Sequence, residues 1–300
     1  MLPFVSVHHL LRKAFCVAGL TLSVFSALLA AGLLAGCATY QAPSSFKPRS
    51  INEVRFRDRA QSKSDSEVRV LAAVPTADEA RAIFHSDLFR REIQPIWIKV
   101  ENHSEHTYYL MSTATDPKYF SPLEAAYAVS SGLSRSHRNE MEHYFRAMNF
   151  RNPILPHTAV SGFIFTNHDE GEKVVQIDLI ATERVKFFTF FLQIPGMRVD
   201  YRMVDFDSLY PQEQILELDE KRLRAALEEL PCCTTNEEGT DFGDPINLVI
   251  IGDFKDIAAA FARRGWLPAE ETYATAVWKT IKSFLFGSRY RYSPVSPLYF

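Results

Sequence analysis

The sequence predicts an α+β chain: an N-terminal immunoglobulin-like antiparallel β-sandwich with a helical insertion, then an α/β module. Three observations predict it. Short apolar runs with turn residues between them fill residues 67–205, the pattern of sandwich strands. Two Ser/Thr-x-x-Glu boxes, Thr76 to Glu79 and Ser121 to Glu124, place helix starts among those runs. Beyond residue 205 the apolar spacing turns helical, around one continuous apolar run at 247–253.

The elements follow in order. VRVLAAV (68–74) reads as a strand, and Thr76 opens a short helix to about residue 90. PIWIKVEN (95–102) and TYYLM (107–111) read as strands joined by the polar turn HSEH. Pro122 follows Ser121 at the first helical position, where no N–H is missed, and opens a helix through Leu133. A second helix covers 139–148. These helices read as an insertion or side cover. TAVSGFIFT (158–166) and KVVQIDLIA (173–181) are strands joined by NHDEGE, whose Gly171 suits a positive-φ turn. The alternation of Val174, Gln176 and Asp178 with Val175, Ile177 and Leu179 leaves one face wet. RVKFFTFFLQI (184–194) and RVDYRMVDF (198–206) complete the sandwich.

In the last third, Leu223, Leu227 and Leu230 recur at helical spacing. NLVIIGD (247–253) has the continuous apolar character of a strand buried on both faces. Asp253 caps the helix that follows, and Gly265 closes it. A third helix over 270–286 carries Tyr273, Val277, Ile281 and Phe284 on one stripe.

The first 37 residues bear on location. His8, His9, Arg12 and Lys13 precede an apolar run from Ala14 to Ala35, the arrangement of a secretory signal. Its ending, Leu34-Ala35-Gly36-Cys37, resembles the bacterial lipobox. That resemblance implies cleavage before Cys37 and lipid on its thiol. Ala38 in place of aspartate implies the outer membrane. An uncleaved transmembrane anchor is the alternative, because about 20 apolar residues span a bilayer. Residues 38–66 are polar and rich in Pro and Ser, and read as a flexible tether.

The formal net charge is −3. The leader carries Arg12 and Lys13, so without it the charge falls by two, to −5. That balance argues against a nucleic-acid binder.

LPCCTT (230–235), GDPINLVIIG (243–252), AFARRGW (260–266), SFLFG (283–287) and RYRYSPVSPLY (289–299) together resemble the LssY C-terminal-domain family of bacterial envelope proteins. The similarity spans about 206–300 and defines the second module. Relatives continue past the PVSPLY block, so the domain reads as cut short at Phe300. The resemblance implies an association with type I secretion and supplies no catalytic residues.

Few side chains suggest chemistry. Once Cys16 leaves with the leader and Cys37 is lipidated, Cys232 and Cys233 are the thiols of the mature body. Adjacent Cα atoms lie about 3.8 Å apart, below the usual span of about 4.4–6.8 Å for a disulfide. The pair reads as two structural thiols or a strained vicinal disulfide, ahead of intermolecular pairing and of metal or redox chemistry. Lys279, Lys282, Arg289 and Arg291 alternate with Trp278, Phe284, Tyr290 and Tyr292, a pattern that suits an anionic surface or equally a solvated helix edge. Glu140 with His143, and His103 with His106, each lack the further ligands a metal needs. No metal or other cofactor is expected. G-x-S-x-G, G-x-G-x-x-G and the P-loop are absent from the sequence.

The expected protein is an outer-membrane-anchored periplasmic lipoprotein, a binding or scaffold module that is not an enzyme. The membrane is its partner through the N-terminal lipid, with envelope or secretion proteins beside it and no nucleic acid. Two alternatives stand. One is an accessory of a type I secretion-like system. The other is an envelope enzyme or lipid-handling protein whose site lies at the junction of the two modules, completed by sequence beyond residue 300.

Overall fold

Continuous apolar sequence makes strand β3 (Ile93–Asn102) the middle of the fold. In the computed structural model, which describes residues 46–205, 208–287 and 290–295, eight of its ten residues are buried. Both of its faces are therefore covered. The leader, Cys37, residues 38–45, Phe206, Arg289 and residues 296–300 lie outside the described residues.

Strand β3 pairs antiparallel with β2 (Val68–Ala73) and with β6 (Ala159–Asn167). β1 (Gln61–Ser64) and β5 (Tyr119–Phe120) complete a five-stranded sheet in the order β1-β2-β3-β6-β5. β7 (Glu172–Ala181) pairs with β4 (Tyr109–Leu110) and β8 (Arg184–Gln193) in a separate three-stranded sheet. The period of two sorts the side chains. Val70, Ala72, Ile96, Ile98 and Val100 share one buried cluster with Val175, Ile177, Leu179, Phe188 and Phe190, so the two sheets pack face to face.

Residues one step out of phase form a second core. Ala73, Trp97, Phe163 and Phe165 pack with residues of α1 (Ala77–Phe84), α2 (Pro122–Val129) and α3 (Arg135–Met148). Phe84 sits within ring contact of Phe145, Phe163 and Phe165. Full burial of a side chain this size is worth about 1.5–3 kcal/mol over exposure. The helices are thus a third layer, and the chain is an α+β sandwich covered on one side. Both expected capping boxes form, Thr76 with Glu79 and Ser121 with Glu124. Gly162, on the face toward the other sheet, admits the chain that leaves α3. A Cβ there would meet the Phe150 backbone at 2.5 Å, where Phe150 N–H donates to Phe163 O.

Several expectations are corrected. The tether ends earlier than residue 66: Phe46, Val54 and Phe56 are buried in the helix-side core, and β1 joins the sheet. Apolar residues spaced through polar sequence carry that segment onto the fold. β3 and β4 are not a hairpin. The turn at 103–106 passes from one sheet to the other, because Asn102 donates to the carbonyls of His106 and Leu155 and turns the chain away. The expected strand at 198–206 is a 3-10 turn at Asp200–Met203, since Tyr201 and Arg202 fold back onto Glu172.

The C-terminal part contains α4 (Glu220–Glu228), a hairpin of β9 (Cys233–Thr235) with β10 (Phe242–Pro245), α5 (Phe254–Arg263) and α6 (Ala274–Phe286). Asp253 caps α5 as expected, and Gly265 takes φ +84° just past its end. The run at 247–253 is not a buried strand. Leu248 is 73% exposed and Ile251 66%. A strand covered on both faces needs neighbours for its backbone groups, and none pairs with this run among the described residues. The apolar stripe of α6 is likewise turned outward. Val277, Ile281 and Phe284 are exposed, while Ala276 is buried and Thr280 and Ser283 are half-buried.

Candidate functional site

The sequence from 197 onward pairs its first residues with residues 269–271, and it meets the sandwich at Glu170 and Gly171 through Tyr292, Met197 and Val199. Val199 bridges Glu270, Asp200 N–H donates to Ala269 O at 3.0 Å, and Glu271 N–H donates to Arg198 O at 2.8 Å. Met197, Val199 and Tyr292 are buried together. Glu170 N–H donates to the Tyr292 hydroxyl at 2.9 Å, and burial pushes that phenol's pKa up to about 12.

At the centre of this joint Glu270 is buried. It accepts from the Tyr273 hydroxyl at 2.5 Å, from Lys279 Nζ at 2.9 Å, and from the Tyr290 hydroxyl. Burial opposes its charge, but these donors outweigh it and hold its pKa below the usual carboxylate range. Burial and the Glu270 carboxylate both raise the pKa of Tyr290. The same ties explain the orientation of α6. Lys279 must reach Glu270, so the face bearing Ala276 and Lys279 packs inward.

Beside the joint lies a cavity of ≈ 120 Å³. One wall is the sandwich: the loop 114–118 after β4, Asn167 and Asp169 in the crossing from β6 to β7, and Val174 and Gln176 on the wet face of β7. The other wall is the end of α5, with Ala262, Arg263, Gly265, Trp266 and Leu267, and then Arg291. Gln176 accepts from the Thr189 hydroxyl at 2.6 Å and also from Arg263 Nη2. That guanidinium is therefore fixed without a carboxylate partner among the described residues.

Beneath the cavity, Lys173 is fully buried. Its Nζ lies 2.7 Å from Asp116 Oδ2 and 2.6 Å from Asp169 Oδ2, and donates to Asn167 O at 2.8 Å. A buried ammonium is tolerated only when paired and hydrogen-bonded, and this one is bonded on every side that its three N–H groups can serve. Thr115, in the same loop, has a buried hydroxyl without a hydrogen-bond partner among the described groups.

The residues singled out from the sequence fall elsewhere, with one exception. Cys232 and Cys233 carry a disulfide between neighbours, with Cα atoms 3.8 Å apart. Lys279 is bound to Glu270, and Lys282 is exposed on α6. Arg291 is exposed and lines the cavity. Glu140 and His143 lie exposed on α3, and no group of three or more metal-ligating side chains occurs among the described residues. The sequence reading passed over Asp116, Asp169, Lys173, Arg263 and Trp266. Lys173 left a signal: it is in phase with Val175, Ile177 and Leu179, so the alternation of β7 sends it inward.

A helix-covered α+β sandwich with a small polar cavity against its C-terminal segment is the class that the fold and site define. Residues 225–300 match the family model described as LssY C-terminus. The match begins within α4, so α5, Trp266 and Arg291 lie in the matched part, while the Lys173 wall lies before it. No curated protein and no solved structure matches the chain. Among the described residues no helix is long and apolar enough to cross a membrane.

Proposed function

We propose that the protein is a lipid-anchored binding module of the bacterial cell envelope, tethered through Cys37 to the periplasmic face of the outer membrane. The observation that carries the binding reading is the cavity between the sandwich and the C-terminal segment, into which polar groups from both walls converge. Concave sites with a few placed polar groups are where small ligands bind. No histidine, cysteine or serine lines the cavity among the described residues. The lipobox-like ending at Cys37 supports the location.

Two experiments test the two halves. Wild-type cells fed labelled palmitate should incorporate it, and Cys37→Ser should leave an unlabelled precursor. Label on the variant would overturn the location. For binding, the melting temperature is followed against fractions of small molecules extracted from the envelope, since a ligand of the folded state raises it. A rise in wild type that is lost in Ala262→Phe, which fills the cavity, supports the reading. No rise with any fraction overturns it.

A further inference from the structure

Resting on that reading, we infer that the junction cavity is a seat for a phosphomonoester, free in solution or as the headgroup of a lipid, with the body of the ligand lying against Trp266. The charge around it is the first reason. Lys118, Arg263 and Arg291 stand at its walls without a carboxylate partner among the described residues. In the floor Lys173 offsets one of its two carboxylates, Asp116 and Asp169. Four cations against two anions leave a surplus of two positive charges. A phosphomonoester carries about −1.5 to −2 at neutral pH and matches that surplus. A single carboxylate would leave half of it uncompensated.

Size and geometry agree. Pockets that enclose whole drug-sized ligands run about 300–1,000 Å³, whereas this one holds ≈ 120 Å³. It has room for a headgroup and leaves the remainder of the ligand outside. Arg263 is held in place by Gln176, and with one N–H so used its planar fork keeps other donors for oxygens of an anion. Trp266 is exposed at the wall, edge-on to Phe261 at 5.2 Å. Its indole offers a flat apolar surface to whatever the phosphate is attached to.

The test uses the full chain and follows tryptophan fluorescence, to which Trp266 contributes as the indole at the site. Three probes are titrated: inorganic phosphate, glucose 1-phosphate, and phosphatidylcholine vesicles containing phosphatidic acid, whose headgroup is a phosphomonoester; glucose and vesicles of phosphatidylcholine alone, whose phosphodiester is balanced by its own choline, are the controls of no net charge. Saturable binding of at least one phosphate probe is expected, weakened about tenfold or more by Arg263→Gln with Arg291→Gln. Both side chains are exposed, so the double variant should keep the wild-type melting temperature. Response to the soluble ester alone identifies a free phosphate ligand, and response to vesicles alone a headgroup. Either supports the inference. Binding of equal strength in wild type and double variant overturns it, as does silence toward every phosphate probe. If the probes are silent while an envelope fraction still stabilises wild type and not Ala262→Phe, the ligand class falls and the binding reading stands. If both are flat, both fall.

Discussion

Lys173 Nζ lies 2.7 Å from Asp116 Oδ2, with the lysine side chain fully buried and the aspartate nearly so. Asp169 is the second carboxylate on the same ammonium, at 2.6 Å. Removing one partner from such a group leaves an uncompensated buried charge, which costs about 3–5 kcal/mol. Lys173→Met should therefore lower the unfolding free energy from urea titration by that order. Adding Asp116→Asn should recover part of the loss, because the deepest unpaired carboxylate is then neutral. A loss below about 1 kcal/mol in the single variant would show that the knot is not holding the loop 114–118 to β7.

Helix α6 presents its apolar stripe outward and packs through small and polar residues. Phe284 is 88% exposed, and Ala276 is fully buried. Phe284→Ser should change stability by less than about 0.5 kcal/mol, as surface substitutions do. Ala276→Leu should cost about 1–3 kcal/mol, because it forces bulk into a close contact. Thermal melts of the two variants decide it. The reverse order would mean that the stripe is buried in solution.

The sandwich was legible in the sequence for a physical reason: period-two alternation is local, and burial on one face enforces it. The alternation of β7 alone separates Val175, Ile177 and Leu179 from the wet residues Val174, Gln176 and Asp178. Both capping boxes are local too, and both were readable. The run 247–253 misled because hydrophobicity signals burial without naming what does the burying. In α6 the stripe misled because a few polar bonds, Lys279 and Tyr290 to Glu270, set the rotation of the helix against its hydrophobic pattern. The cavity was the least legible feature. Its walls, Asp116 with Lys118 and Arg263 with Trp266, lie nearly 150 residues apart, and no short motif joins them. Lys173, a lysine in phase with an inward-facing valine, isoleucine and leucine, marked the floor in advance, and Arg291, singled out among cations suited to an anionic surface, marked one wall.

Cys232 and Cys233 are bonded to each other, the second of them in β9. Alkylation of the denatured protein without reductant should leave both residues unmodified, in a peptide two hydrogens lighter than the dithiol. After reduction the same peptide should take up two alkyl groups. Mass spectrometry of the digest reads both states, and alkylation before reduction would show two free thiols instead.

Glu270 makes the joint sensitive to acid. Burial opposes its ionisation, but the hydroxyls of Tyr273 and Tyr290 and the ammonium of Lys279 prevail, so its pKa lies below the unfolded value. A carboxylate lowered in this way contributes stability that is present above its unfolded pKa and lost as pH falls through the folded one. Glu172 acts in the opposite sense. Burial raises its pKa despite Arg202, so its contribution is present below the unfolded value and fades as pH rises through the folded one. Comparing wild type with Glu270→Gln cancels Glu172, which both share. The variant should melt lower at pH 7, and the gap should narrow as pH falls below about 4, where ordinary carboxylates protonate. Melting temperatures of both proteins across that range provide the check. A gap that stays constant would mean that Glu270 serves the joint by shape alone and its charge contributes nothing.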